Sequence, residues 1–196
     1  VSSVAHDLRT PLTSIIGYLG WVRTRTDLDE ETRNHYIDIA YQKALRLEQL
    51  TNELFGFVKL EHKEMQLHLG KLDLVQLMEQ MLDEMTPSFV KNELQVEFLH
   101  TQNTIFLEAD GELLARLFGN LLNNAVKYGK EGKQIRVSME KEGEYVVTRV
   151  INYGRIIPKQ ELDHIFQKFY RTEQSRSRDT GGTGLGLAIV QQIAEL

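Results

Sequence analysis

Two apolar heptad series occupy the first sixty residues, and they restrict this end of the chain to paired helices. Val1, Ala5, Leu8, Leu12, Ile15, Leu19 and Val22 advance by alternating steps of four and three, and Ile37, Ala40, Ala44, Leu47, Thr51, Leu54 and Val58 repeat the pattern. That spacing gathers each series into one seam along an α-helix. Between the series, residues 27–32 are rich in acids and suited to capping a helix start. Two helices joined by so short a connection form an antiparallel hairpin. One hairpin cannot enclose its own seam, whereas two can, so the expected unit is a homodimeric four-helix bundle.

The rhythm changes near residues 60–65, where a domain boundary is expected. Residues 65–69 alternate and read as a short strand. Leu74, Leu77, Met78, Met81, Leu82 and Met85 return to helical spacing. Residues 94–99 read as a strand, 105–107 as a shorter one, and 112–128 as a long helix. Two further strands are expected over 135–140 and 145–151, joined near Gly143. This order predicts an α/β sandwich with helices on one face of a sheet.

Composition narrows the function classes. Apolar residues make up 41% and charged residues 26%, the balance of a folded soluble domain. A net charge of −5 argues against a nucleic-acid surface, which needs a basic patch. The absence of cysteine excludes a disulfide framework and a thiolate metal site. No apolar run approaches the roughly 18 residues that span a bilayer, and nothing reads as a signal peptide. Both ends fall inside helical patterns, so a fragment of a longer protein is expected, its C-terminus truncated.

Three constellations carry chemistry. The first seam turns Ala5 and Leu8 inward and leaves His6 and Asp7 outside, with Thr10 one turn on. Pro11 offers no N–H to the carbonyl of Asp7 and loosens the helix there. A carboxylate beside an exposed imidazole can hold the proton of one ring nitrogen and leave the other free to attack. Taken alone, His6 would read first as a solvated surface histidine; the rest of the chain reverses that reading. The second is a stripe of Arg116, Asn120, Asn124 and Lys127 along the 112–128 helix, opposite an apolar face. Asparagine oxygens suit a hard cation such as Mg²⁺, and a lysine suits phosphate; a solvated helix face is the plain alternative. The third is Gly181-Gly182-Thr183-Gly184-Leu185-Gly186, just before an apolar helix. Glycines admit close backbone approach, and a helix N-terminus favours anions. The spacing matches neither dinucleotide-binding nor P-loop patterns. Between the last two, Phe166 and Phe169 precede a polar stretch over 172–180, read as an aromatic anchor leading into a lid over a nucleotide.

Together these residues resemble a known family. The run Ser3-Val4-Ala5-His6-Asp7-Leu8-Arg9-Thr10-Pro11-Leu12 resembles the H-box of bacterial sensor histidine kinases. Residues 120–128 resemble their N-box, 166–170 the F-box and 182–186 the second glycine box. Within that family, residues 176–182 with Ile157-Pro158 resemble the VanS-type vancomycin-resistance sensors. The resemblance implies an all-α dimerisation hairpin over residues 1–62, a four-helix bundle as the dimer. It implies an ATP-binding α/β sandwich of the gyrase, Hsp90, MutL and histidine-kinase type over 63–196. It implies His6 as phosphoacceptor, Asp7 as its acid–base partner, and Thr10 as the residue placing a water for phosphatase chemistry. ATP would meet Asn120, Lys127, Tyr128, Asn152, Gly154, Arg171, Gly182, Gly184 and Gly186, with Mg²⁺ on Asn124. The implied partners are a second copy and a response-regulator receiver domain. A membrane would be reached only through segments outside this sequence, and the chain would be the cytoplasmic portion of a membrane sensor.

One box departs from the family's pattern. The usual Asp-x-Gly-x-Gly is here Asn152-Tyr153-Gly154-Arg155-Ile156. Asn152 can accept a hydrogen bond from an adenine amino group but carries no charge. Ile156 adds a β-branched side chain where the backbone is normally bare, and is expected to narrow the pocket or stiffen the lid hinge. Weak ATP binding follows as an expectation. Two rivals remain at this stage: an ATPase of the same fold with no use for His6, and a dimeric scaffold without chemistry.

Overall fold

In the computed structural model the chain divides into two compact units, Val1–Glu61 and His62–Leu196. The structure describes every residue except 1, 62–65, 155 and 173–182, and for residues 2–4 and 61 the backbone alone.

The first unit is the expected hairpin, built from α1 (Ser2–Thr24) and α2 (Glu30–Glu61). Asp29 starts α2: its carboxylate accepts the Thr32 N–H at 2.7 Å and the Thr32 hydroxyl at 2.8 Å. Those bonds hold the Asp29 carboxyl below its ordinary pKa. Glu30 and Glu31 add negative charge at the positive end of the helix dipole. Pro11 lies inside α1, which runs on through it.

The two heptad seams split by position. Along α1, Leu8, Ile15 and Val22 are half-buried, whereas Ala5, Leu12 and Leu19 are exposed. Along α2, Ala40 is buried, and Leu47 and Leu54 are half-buried, whereas Ile37, Ala44 and Val58 are exposed. Leu50, Phe57 and Leu60, outside the expected seam, are buried beside them. One half of each seam is therefore used within the hairpin. The other half presents an apolar line.

In the second unit, β1 (Gly70–Asp73) pairs antiparallel with β3 (Phe106–Ala109). The expected strand at 65–69 is absent: residue 65 lies outside the described residues, and 66–69 have no ladder partner. Alternation alone set that expectation. The strand forms only where β3 lies opposite, and Leu67 and Leu69 stay exposed.

Helix α3 (Leu74–Lys91) begins at Asp73, which accepts the Val75 N–H, and ends at Asn92. A second sheet has the order β2 (Gln95–His100), β4 (Gln134–Glu142), β5 (Tyr145–Asn152). β2 and β4 run parallel, joined by a crossover that carries α4 (Gly111–Gly129), and β5 returns antiparallel. Gly143, at φ 65°, makes the turn between them. α5 (Gly186–Ala194) packs along α4.

The core lies between this sheet and the helices. Ile135, Val137 and Met139 line one face of β4 with no exposure, against Met78 of α3 and Leu122 of α4. This is the α/β domain the pattern predicted. Among the described residues no helix is long and apolar enough to cross a membrane.

Candidate functional site

His6 stands on the outer face of α1 with its side chain 77% exposed. Its Nδ1 lies 3.7 Å from the Asp7 carboxylate, which is half-buried. That is ion-pair range, longer than a hydrogen bond. Thr10 donates its hydroxyl to the His6 carbonyl at 2.9 Å, so it is held against the helix backbone. Pro11 leaves the Asp7 carbonyl without its usual helical donor. An imidazole, a carboxylate and a hydroxyl thus share one turn.

A second cluster, within the second unit, is built on α4. Asp110 caps this helix through bonds from the Glu112 and Leu113 N–H groups, both at 3.1 Å. Leu113, Phe118, Leu122, Ala125 and Val126 bury one face in the core. That fixes the rotation of the helix and turns Asn120, Asn124 and Lys127, all half-buried, to another side. Asn120 donates its amide to the Arg116 carbonyl at 2.8 Å, which leaves its oxygen directed elsewhere. A Cβ at Gly186 would meet that oxygen at 3.1 Å and the Asn124 amide at 3.9 Å. The bare backbone at Gly186 therefore lets the first turn of α5 lie against the asparagine stripe. The Asn124 amide makes no hydrogen bond to any described residue. Lys127 holds its ammonium 4.8 Å over the Tyr128 ring.

Asn152 ends β5 opposite Ile135. Its Cβ would come 3.2 Å from a Cβ placed at Gly129, the last residue of α4. Its amide is likewise unbonded among the described residues. Gly154 also has a structural part, one the sequence does not indicate. A side chain there would run into the Tyr128 carbonyl oxygen, and one at Gly132 into that of Tyr153. These glycines dock the end of β5 onto the end of α4, so Asn152 and Tyr128 are brought together. The spacing of Gly129 and Gly132 was the available signal, and the sequence reading passed over it. Ile156 is 89% exposed. Among the described residues it lines no wall.

Phe169 and Gly184 form a clip. Phe169 adopts φ 63°, a left-handed conformation rare for an aromatic residue, and Gly184 φ 71°. The Phe169 N–H donates to the Gly184 carbonyl at 2.9 Å. A Cβ on Gly184 would lie 2.7 Å from the Tyr170 oxygen. The clip joins the two ends of the stretch expected to be a lid. Gly182 and residues 173–180 of that stretch lie outside the described residues. Arg171 and Thr172, at its near end, are half-buried and both engaged. Phe166, expected as an anchor, is 42% exposed; Phe169 is the better-buried ring.

The structure therefore brings Asn120, Asn124 and Gly186 together, and Tyr128, Asn152 and Gly154 together, within the second unit. His6, Asp7 and Thr10 gather in the first. Phosphate chemistry suits this set: neutral oxygen donors, a helix N-terminus without a side-chain cap at Leu185, and a lysine.

Comparison with known proteins agrees. Residues 1–63 match the His Kinase A (phospho-acceptor) domain. Residues 109–196 match the histidine kinase-, DNA gyrase B- and HSP90-like ATPase. The chain is 38% identical over 193 residues to sensor protein VanS of Enterococcus faecium, covering 98% of this chain and 50% of that protein. It is 37% identical over 190 residues to sensor protein VanSC of Enterococcus gallinarum, covering 97% and 52%. The chain spans about half the length of these curated relatives. Its fold matches histidine kinase ThkA, solved in complex with the response regulator protein TrrA, at a TM-score of 0.73 and 27% identity over 87% of this chain and 50% of that one. With a phosphoacceptor domain and an ATPase domain in this order, the chain belongs to the sensor histidine kinases.

Proposed function

We propose that this chain is the catalytic core of a two-component sensor, which transfers the γ-phosphoryl group of ATP to His6 and then to a response-regulator aspartate. The observation that carries the reading is the exposed His6 ring with its Nδ1 turned to Asp7. Residues 1–62 would serve as the dimerisation and phosphotransfer domain and 63–196 as the ATP-binding domain. As an activity of the whole protein, this reading also places the chain on the cytoplasmic side of a membrane sensor.

The residues fit a magnesium nucleotide. Asn124 carries its side-chain amide on α4 beside the first turn of α5, its nitrogen 3.9 Å from where a Cβ at Gly186 would stand. Asn124 would hold Mg²⁺, with Asn120 beside it. When bound, the ion would neutralise phosphate charge. Lys127 and Arg171 would face the phosphates, and the Gly184–Gly186 backbone would approach them. Tyr128 would line the base, and Asn152 would accept from its exocyclic amine. Gly182 belongs to the same proposed set by its place in the motif.

At His6, Asp7 holds the Nδ1 proton and leaves Nε2 unprotonated. Nε2 attacks the γ-phosphorus. A P–N bond forms as the bond to the bridging oxygen breaks, and that electron pair leaves with ADP. The phosphoryl group then passes from Nε2 to a carboxylate oxygen of the regulator. Thr10, once its hydroxyl turns off the His6 carbonyl, would place the water of a phosphatase step. The exposed halves of the two seams support a homodimer. Asn152 supports weak ATP binding; Ile156, 89% exposed, would act on it only through the lid hinge.

Incubation of the chain with γ-labelled ATP tests the reading. It predicts acid-labile label on the protein that His6→Ala abolishes. Label released to solvent with no phosphoprotein would favour a plain ATPase instead.

A further inference from the structure

Asp110 is one of two polar residues buried among the described core positions, 8% exposed. Capping α4 uses only its Oδ1, which accepts from Glu112 and Leu113. Its Oδ2 accepts the backbone N–H of His68 at 2.9 Å, across 42 residues of sequence. That bond lies just beyond the last pair of the small sheet, Gly70 opposite Ala109. Residues 66–69 have no ladder partner of their own. The Asp110 carboxylate thus continues, with a side chain, a sheet that the backbone has ended.

The position of His68 gives this bond its consequence. The first unit ends at Glu61, and the chain enters the second a few residues before His68. The segment that joins the helix pair to the ATPase domain is therefore tied to the first turn of α4. The same helix carries Asn120 at its middle and Asn124 and Lys127 toward its other end. The bonds to His68 and then to Leu113 hold the Asp110 carboxyl below its ordinary value of 3.8, so it is ionised, with both oxygens accepting, near neutral pH.

We infer that Asp110 is a positioning residue for His6 phosphorylation: by holding His68 it fixes where the connecting segment joins the ATP-binding helix. This role rests on the kinase reading above. Without the bond, the nearest fixed point moves on to Gly70 of β1, and the stretch by which the chain enters the second unit is released. Misplacement of a reacting group by about 1 Å can cost on the order of a hundredfold in rate.

Two substitutions separate this role from helix capping. In Asp110→Asn the remaining oxygen is drawn to the helix N-terminus, where asparagine caps as well as aspartate. Its NH₂ then faces the His68 N–H, donor to donor, and no bond forms. Asp110→Ser keeps a capping oxygen and is too short to hold both partners. Each variant of the full chain is assayed for autophosphorylation over a range of ATP concentrations. Amide hydrogen exchange is followed at His68, Glu112 and Leu113.

The expected result for both variants is faster exchange at His68 with little change at Glu112 and Leu113. The maximal phosphorylation rate falls about fivefold or more, and KM for ATP stays within about twofold. An unchanged maximal rate with His68 released would overturn the role. So would a rate loss matched by an equal loss of ATP affinity, which would make Asp110 a structural cap of α4 alone. Wild-type chain that binds ATP yet never labels His6 would overturn the kinase reading, and this role with it.

Discussion

A carboxamide at position 152 can accept a hydrogen bond but brings no charge to it. Hydrogen bonds to charged groups exceed neutral ones by about 1 kcal/mol, or roughly fivefold in affinity. Asn152→Asp is therefore expected to tighten ATP binding about fivefold by calorimetry; equal affinities would remove Asn152 from the account. This residue was legible in the sequence because its motif neighbours place it at a strand end. The role of Ile156 was not. Whether a residue just past the last strand points at a ligand or into water depends on a chain path that periodicity does not encode, and the structure leaves Ile156 89% exposed. His6 was legible in a stronger sense. A helical seam fixes which residues face outward, and His6 and Thr10 follow from it, whereas Asp7, expected outside, is half-buried and Ala5, expected inside, is exposed.

At the level of elements, glycines govern how the site is assembled. The sequence reading assigned Gly154 and Gly184 to ligand approach. In the structure their open side faces protein backbone, Tyr128 for Gly154 and Phe169–Tyr170 for Gly184. Such contacts link residues far apart in sequence, so no local pattern reveals them. Gly154→Ala forces either the strand end or the end of α4 to move. Overpacking of this kind costs about 1–3 kcal/mol, and the thermal midpoint of the variant is expected to fall by several degrees. A midpoint equal to wild type would show that the docking is looser than the geometry implies. Strand β1 gives the complementary lesson. Alternation at 65–69 was a genuine pattern, but a strand needs a partner, and β3 lies opposite Gly70–Asp73 instead.

Over the whole molecule, the half-exposed seams and the buried carboxylate set two expectations. Leu12 and Leu19 are each 46% exposed on one line of α1. Leu19→Glu is expected to shift the chain from dimer toward monomer in light scattering, and an unchanged mass would place the dimer contact elsewhere. Asp29, Glu93 and Asp110 all have carboxyls held below their ordinary values, Asp29 and Asp110 by backbone bonds first and Glu93 by Lys133. In each case the unfolded chain binds the proton more readily than the folded one. Their stabilisation is complete above the ordinary carboxylate range of about 4 and is lost as pH falls through the lower folded values. Thermal midpoints measured from pH 6 downward should therefore hold steady and then drop below about pH 4, with a shallower drop in Asp110→Asn. The two-unit plan was legible because the apolar period changes once, near residue 60. The tie between His68 and Asp110 was not, since it joins a segment without secondary structure to a helix cap 42 residues away. The central claim is that His6 receives phosphate from ATP, and mass-spectrometric localisation under non-acidic conditions tests it most directly. The account predicts phosphate on His6 after incubation with magnesium and ATP, removed by brief acid treatment. Acid-stable phosphate on a hydroxyl side chain, or ATP consumed with His6 unmodified, would contradict it.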